Sequence, residues 1–298
     1  MIRSVPFALL VLTAAGSVHA GTPIDEKRTV DADARIEISN AKGSVTISGW
    51  DRNEVAISGE LGSGARPTIE GGGSQLRIKI EAPDKQGWFS WGADSRMGPT
   101  DLDIKVPKSA ELKVGVVSAD LTLSGVAGRL LDVDSVSGKL RLSTNAKEVD
   151  IDSVSGGVDI DGKADRARVQ TVSGDIRARG LGGRLKYETV SGDIDADNAR
   201  YSEINAGTVS GDIDLRGQPE GDLRIDVESM SGSVHLYLPG EVSTRLRASS
   251  FSGSIRSDFG TVKHEEHGPG SNLDASNGAG QGQVKVETFS GDIDIRRQ

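Results

Sequence analysis

Residues 171–176 read TVSGDI, and the same six letters return at 189–194 and 208–213. Close variants are VVSADL at 116, SVSGKL at 135, SVSGGV at 153, SMSGSV at 229, SFSGSI at 250 and TFSGDI at 288. With the central residue as position zero, the series is Ala119, Gly138, Gly156, Gly174, Gly192, Gly211, Gly232, Gly253 and Gly291. The spacings are 19, 18, 18, 18, 19, 21, 21 and 38, the last reading as two units with one copy degenerate. A period of this size marks a supersecondary unit repeated along an axis.

Within each unit apolar residues keep their places. Plus two carries Ile176, Ile194 and Ile213, and minus two carries Val172, Val190 and Val209, then Met230, Phe251 and Phe289. An earlier pair at minus seven and minus five, such as Leu185 and Tyr187, alternates with polar neighbours, the period of two that turns one face of a strand inward. Taking minus five and minus two as both inward puts a parity slip between them, with a bend at the Ser or Thr of minus three. On this reading the minus-two and plus-two columns are both buried.

Helical repeats need apolar spacings of three and four, which these units lack, and 39 glycines oppose long helices. Two short strands cannot bury their inner face alone, so the units must stack and share a core. The expected fold is therefore all-β, a β-solenoid (β-helix) with coils of 18–21 residues and about two short strands per coil. ARIEISNAKGSVTISGW at 34–50 carries the same pattern around Gly43, 76 residues before Ala119. With EVAISG, QLRIKIEAP and DLDIKVP as strands between, the expectation is roughly thirteen or fourteen coils and a rod of about 65 Å.

The first twenty residues, with Arg3, an apolar run from Val5 to Ala14 and small residues around His19, read as a secretory signal cleaved after Ala20. Residues 21–298 then form a single domain, with loop insertions near 83–100 and 264–283. The whole chain has 35 basic and 44 acidic residues and a net charge of −9, which disfavours nucleic acid and anionic lipid as general partners. Without cysteine there is no disulfide, thiolate metal site or cysteine nucleophile. No later apolar run is long enough for a transmembrane helix, so the mature chain is expected in the periplasm, at the cell surface or outside the cell.

The leader, the opening NAKGSVTISGWDRNEVAISG and the serial VSGDI motifs together resemble the bacterial putative-adhesin family over roughly residues 30–298. That resemblance implies a β-helical domain of unassigned function in an exported protein, and it supplies no catalytic residues.

Serine stands at minus one in all nine units, from Ser118 to Ser290, while histidine follows no such period. A nucleophile needs a base within reach, so these serines read as stacked hydroxyls of the scaffold. The carboxylates allow two readings. Asp175, Asp193 and Asp212 at plus one, and Asp159, Asp195 and Asp214 at plus three, form outward columns. They could attract calcium as a cofactor, or they form a solvated face relieved by Arg177.

Two insertions depart from the repeat. PDKQGWFSWGADSRMGPT at 83–100 concentrates Trp88, Phe89 and Trp91, either a ring surface for a glycan or an envelope protein or a plug for the core. HEEHGPGSNLDASNGAGQGQ at 264–283 reads as a mobile loop, with His264 and His267 a weak metal pair. The expected function is a non-catalytic adhesin-like binding or scaffold protein. The alternative is a polysaccharide lyase or hydrolase working on the acidic face.

Overall fold

In the computed structural model, residues 21–82, 97–264 and 270–298 are described, and they consist of strands, turns and bends. The TVSGDI unit shows how the sequence builds a layer. Arg166–Ser173 forms the first arm, the chain turns at Gly174 and Asp175, and Ile176–Arg179 forms the second arm. Each arm pairs in parallel with the same positions of its neighbours, Val169 with Tyr187 and Ile176 with Ile194. Inward side chains from both arms meet in one continuous core along the stack. Ile176, Ile194 and Ile213 are buried as one column, as expected, each stabilising by about 1.5–3 kcal/mol relative to exposure.

The bend lies elsewhere than the sequence reading places it. The first arm keeps strict alternation through minus seven, minus five and minus three, so Thr171, Thr189 and Thr208 point inward and are buried. Parity slips across positions minus one to plus one, and minus two therefore points outward. Val172, Val190 and Val209 are 50, 46 and 45% exposed, not buried. Some of the inward hydroxyls find a carbonyl within reach, whereas those of Ser135, Thr171, Thr208 and Thr288 are buried without a hydrogen-bond partner among the described residues. Ser153 and Ser229 donate to the glycine carbonyls of their own turns at 3.5 and 3.2 Å, and Thr189 donates to Gly174 at 3.3 Å.

Ala119 fills position zero in one layer, but between the Gly174, Gly192 and Gly211 turns glycine is required. A Cβ on Gly192 would stand 2.1 Å from the Gly174 carbonyl oxygen, and one on Gly211, where φ is +149°, would stand 2.0 Å from that of Gly192. No side chain fits between turns stacked this closely.

The order of layers also differs from the order of the chain. Ile36 pairs with Leu112 and Val45 with Leu121, so the Gly43 layer abuts the Ala119 layer directly, with no coils between them. The intervening chain doubles back to build the N-terminal end of the stack. Arg66–Glu81 and Thr100–Pro107 lie parallel to the outer side of Thr22–Trp50, and Glu54–Leu61 lies antiparallel to Thr100–Pro107.

At the other end Gly282–Ser290 inserts between Ile213–Ser231 and Thr244–Ser250, and Ile293–Arg297 inserts between Val234–Leu238 and Ile255–Ser257. The stacking order is thus Gly43, Ala119, Gly138, Gly156, Gly174, Gly192, Gly211, Gly232, Gly291, Gly253. These ten motif layers span about 45 Å, and the end strands lengthen the stack beyond them. Ser271–Asn277, within the segment read as a mobile loop, is a strand antiparallel to Thr244–Ser250 and covers that edge.

Candidate functional site

Because every layer presents the same positions at the same height, the surface consists of columns, and each has its own chemistry. At plus one the aspartates act on the backbone. Asp175 Oδ1 accepts the amide of Asp193 at 3.2 Å, Asp193 that of Asp212 at 2.9 Å, and Asp212 that of Ser233 at 2.7 Å. Asp120 and Asp292 do the same for Lys139 and Ser254. Each carboxylate satisfies a turn amide of the adjacent layer, a charge-assisted bond stronger than a neutral one.

At plus three the carboxylates meet arginine. Arg216 lies 3.5 Å from Asp195 and 3.4 Å from Asp214, while Arg177 lies 3.9 Å from Asp159 and also reaches the plus-one Asp175 at 2.9 Å. Among the described residues no group of three or more His, Asp or Glu is placed to hold a metal ion. His264 Nδ1 is 3.0 Å from Ser271 Oγ, and His267 lies outside the described residues. At minus one Ser137 Oγ donates to the Val117 carbonyl at 3.1 Å and lies 3.5 Å from Ser118 Oγ, a scaffold role for that pair. Trp88, Phe89 and Trp91 lie outside the described residues.

The column the sequence reading misassigned is the most unusual. Val117, Val136, Val154, Val172, Val190, Val209, Met230, Phe289 and Phe251 follow one another along the stack, 40–59% exposed. Phe289 and Phe251 stack face to face with centroids 4.9 Å apart. Beside the column runs a groove of about 650 Å³ whose lining includes Asp152, Glu188, Glu228, Val190 and Val209. Contiguous exposed apolar rows of this kind mark interaction surfaces.

Parallel strands stacked in register, with one motif per layer, define a solenoid-like β-repeat protein. The chain belongs to the Toastrack DUF4097 family, which matches residues 34–238 and 222–296, as the VSGDI motifs led us to expect. Among solved structures it is similar to a putative adhesin from Parabacteroides merdae, with 12% identity and a TM-score of 0.54 over 93% of this chain and 97% of that one. It is also similar to a putative lipid binding protein from Parabacteroides distasonis, with 14% identity and a TM-score of 0.47 over 93% and 97% of the two chains. Likeness at such identity establishes the fold alone. No curated protein matches the chain.

Proposed function

We propose that this chain is an exported, non-catalytic binding or scaffold protein of the bacterial envelope, and that its working surface is the outward apolar column. The observation that carries this reading is the exposure of Val117 through Phe251 at a position where a solvated strand face would carry polar residues. The acidic face supports the same reading against a polysaccharide-active enzyme. A catalytic acid and base must be free to exchange protons with a substrate, whereas Asp175, Asp193 and Asp212 each accept a backbone amide of the next layer. Export rests on residues 1–20, and the ring trio Trp88, Phe89 and Trp91 is a second candidate contact.

The test uses the chain from Gly21 onward and its triple variant Val172→Ser, Val190→Ser, Val209→Ser. The parent should be retained on isolated bacterial envelopes and the variant released, while neither turns over neutral or acidic polysaccharides. Retention of both to the same extent would discard the column as the working surface. Turnover abolished by Asp193→Asn would establish the enzyme instead.

A further inference from the structure

We propose that the outward apolar column is a track for a cationic amphipathic α-helix, which lies along the stack with its apolar stripe on the valines. The inference rests on the binding reading above and names the partner's chemistry.

Charge is the first argument. The column is bordered on both sides by carboxylates. At minus four stand Asp134, Asp152, Glu188, Glu228 and Glu287, and that position carries no Lys or Arg in any of the nine units. At plus one stand Asp120, Asp175, Asp193, Asp212 and Asp292, against a single Lys139. The balancing bases lie one column further out, where Lys113 meets Asp134 at 3.1 Å, Arg168 meets Asp152 at 3.0 Å and Lys285 meets Glu228 at 3.4 Å. Exposed pairs of this kind contribute only about 0–1 kcal/mol, so the acids can exchange them for a ligand's cations at little cost. Two copies of this chain facing each other through the column would set acid against acid. Anionic lipid headgroups meet the same repulsion.

Geometry selects the helix among cationic partners. Successive column residues are one strand spacing apart, about 4.8 Å. The apolar stripe of an amphipathic helix recurs every 3.5–3.6 residues at 1.5 Å per residue, about 5.3 Å. The mismatch of about 0.5 Å per step lets four or five consecutive anchors engage before the offset reaches half a step, which corresponds to a helix of about 15–18 residues. An extended strand repeats on one face every 6.6–6.8 Å, about 2 Å out of register at each step. Helix-in-groove recognition uses such spaced anchors. The larger Met230, Phe289 and Phe251 give the track a distinct end, where deeper contact fixes the position of the helix.

The probe is a synthetic 18-residue peptide with leucine on one helical stripe and lysine elsewhere. Its controls are a scramble of the same composition without a stripe and a copy with glutamate for lysine. Calorimetry with the chain from Gly21 onward should give binding of the striped peptide at least tenfold tighter than the scramble and no binding of the glutamate copy. Affinity should fall about tenfold between low and physiological salt, as charge contacts are screened. Val172→Ser, Val190→Ser, Val209→Ser should weaken binding at least tenfold, and Glu188→Gln, Glu228→Gln should reduce the salt dependence.

Equal affinity for stripe and scramble would overturn the proposal without requiring any variant, because it reduces the interaction to bulk charge. So would preferential binding to phosphatidylglycerol vesicles, or self-association lost in the valine variant. Envelope retention that depends on the column, combined with no preference for the striped peptide, would reject the helix and leave the binding surface standing.

Discussion

Gly253 rests against Gly291, a residue 38 positions later in the chain, and not against Gly232, its predecessor in the repeat. A Cβ on Gly253 would stand 2.1 Å from the Gly291 carbonyl oxygen, and one on Gly291 would stand 2.1 Å from that of Gly232. The final segment is therefore wedged into the stack and not added to its end. Ending the chain at Gln281 removes the parallel partner of Thr244–Ser250. Hydrogen exchange should then show Thr244–Ser250 and Ser271–Asn277 losing protection while Arg166–Ser210 remains protected. Uniform loss along the stack would show that the layers unfold as one unit.

The register separates two neighbouring positions. Val190→Asp places a charge at a half-exposed position beside Glu188 and should cost about 1 kcal/mol or less. Ile194→Asp buries an unpaired carboxylate and should cost several kcal/mol, as shown by the midpoint of urea unfolding. Similar midpoints for the two variants would contradict the placement of the bend.

The plus-one aspartates support the turns. Asp193→Ala leaves the Asp212 amide without its acceptor and should cost about 0.5–1.5 kcal/mol, whereas Asp193→Asn keeps an oxygen in place and should cost less. Millimolar calcium should leave the melting temperature of the parent unchanged. A rise in the parent that is absent from Asp193→Asn would assign the column to metal binding.

Acid should weaken one turn in a defined direction. Ser254 donates its amide and its hydroxyl to Asp292 Oδ1, each at 2.9 Å, and these bonds hold the carboxyl below its ordinary value. A depressed folded pKa means that the contribution is complete above the unfolded value of about 4 and is lost as pH falls through the lower folded value. The melting temperature of the parent should exceed that of Asp292→Asn near neutral pH, and the gap should close on acidification below about pH 4. A gap unchanged down to about pH 2 would assign the effect to packing.

The period, the plus-two column and the all-β stack were legible in the sequence because local alternation dictates them. The outward column was not. An odd slip can sit on either side of minus three, and valine is equally acceptable to a core and to a strand face. The signal lay in the third inward step of the arm, where Thr171 and Thr189 follow the same alternation as Val169 and Tyr187 but look polar. The amide-binding role of Asp193 and the exchanged order at Gly291 depend on contacts between layers, which periodicity within one layer does not encode.

The wedged terminus also determines where such a gene can lengthen. Both extremities are closed by strands taken out of chain order, so a unit appended to either terminus would meet no matching neighbour. A duplicated unit between Ala119 and Gly232 meets the same neighbours as its parent copy and adds one step of about 4.8 Å. Descendants of this architecture would vary in length through their middles while inheriting their ends intact.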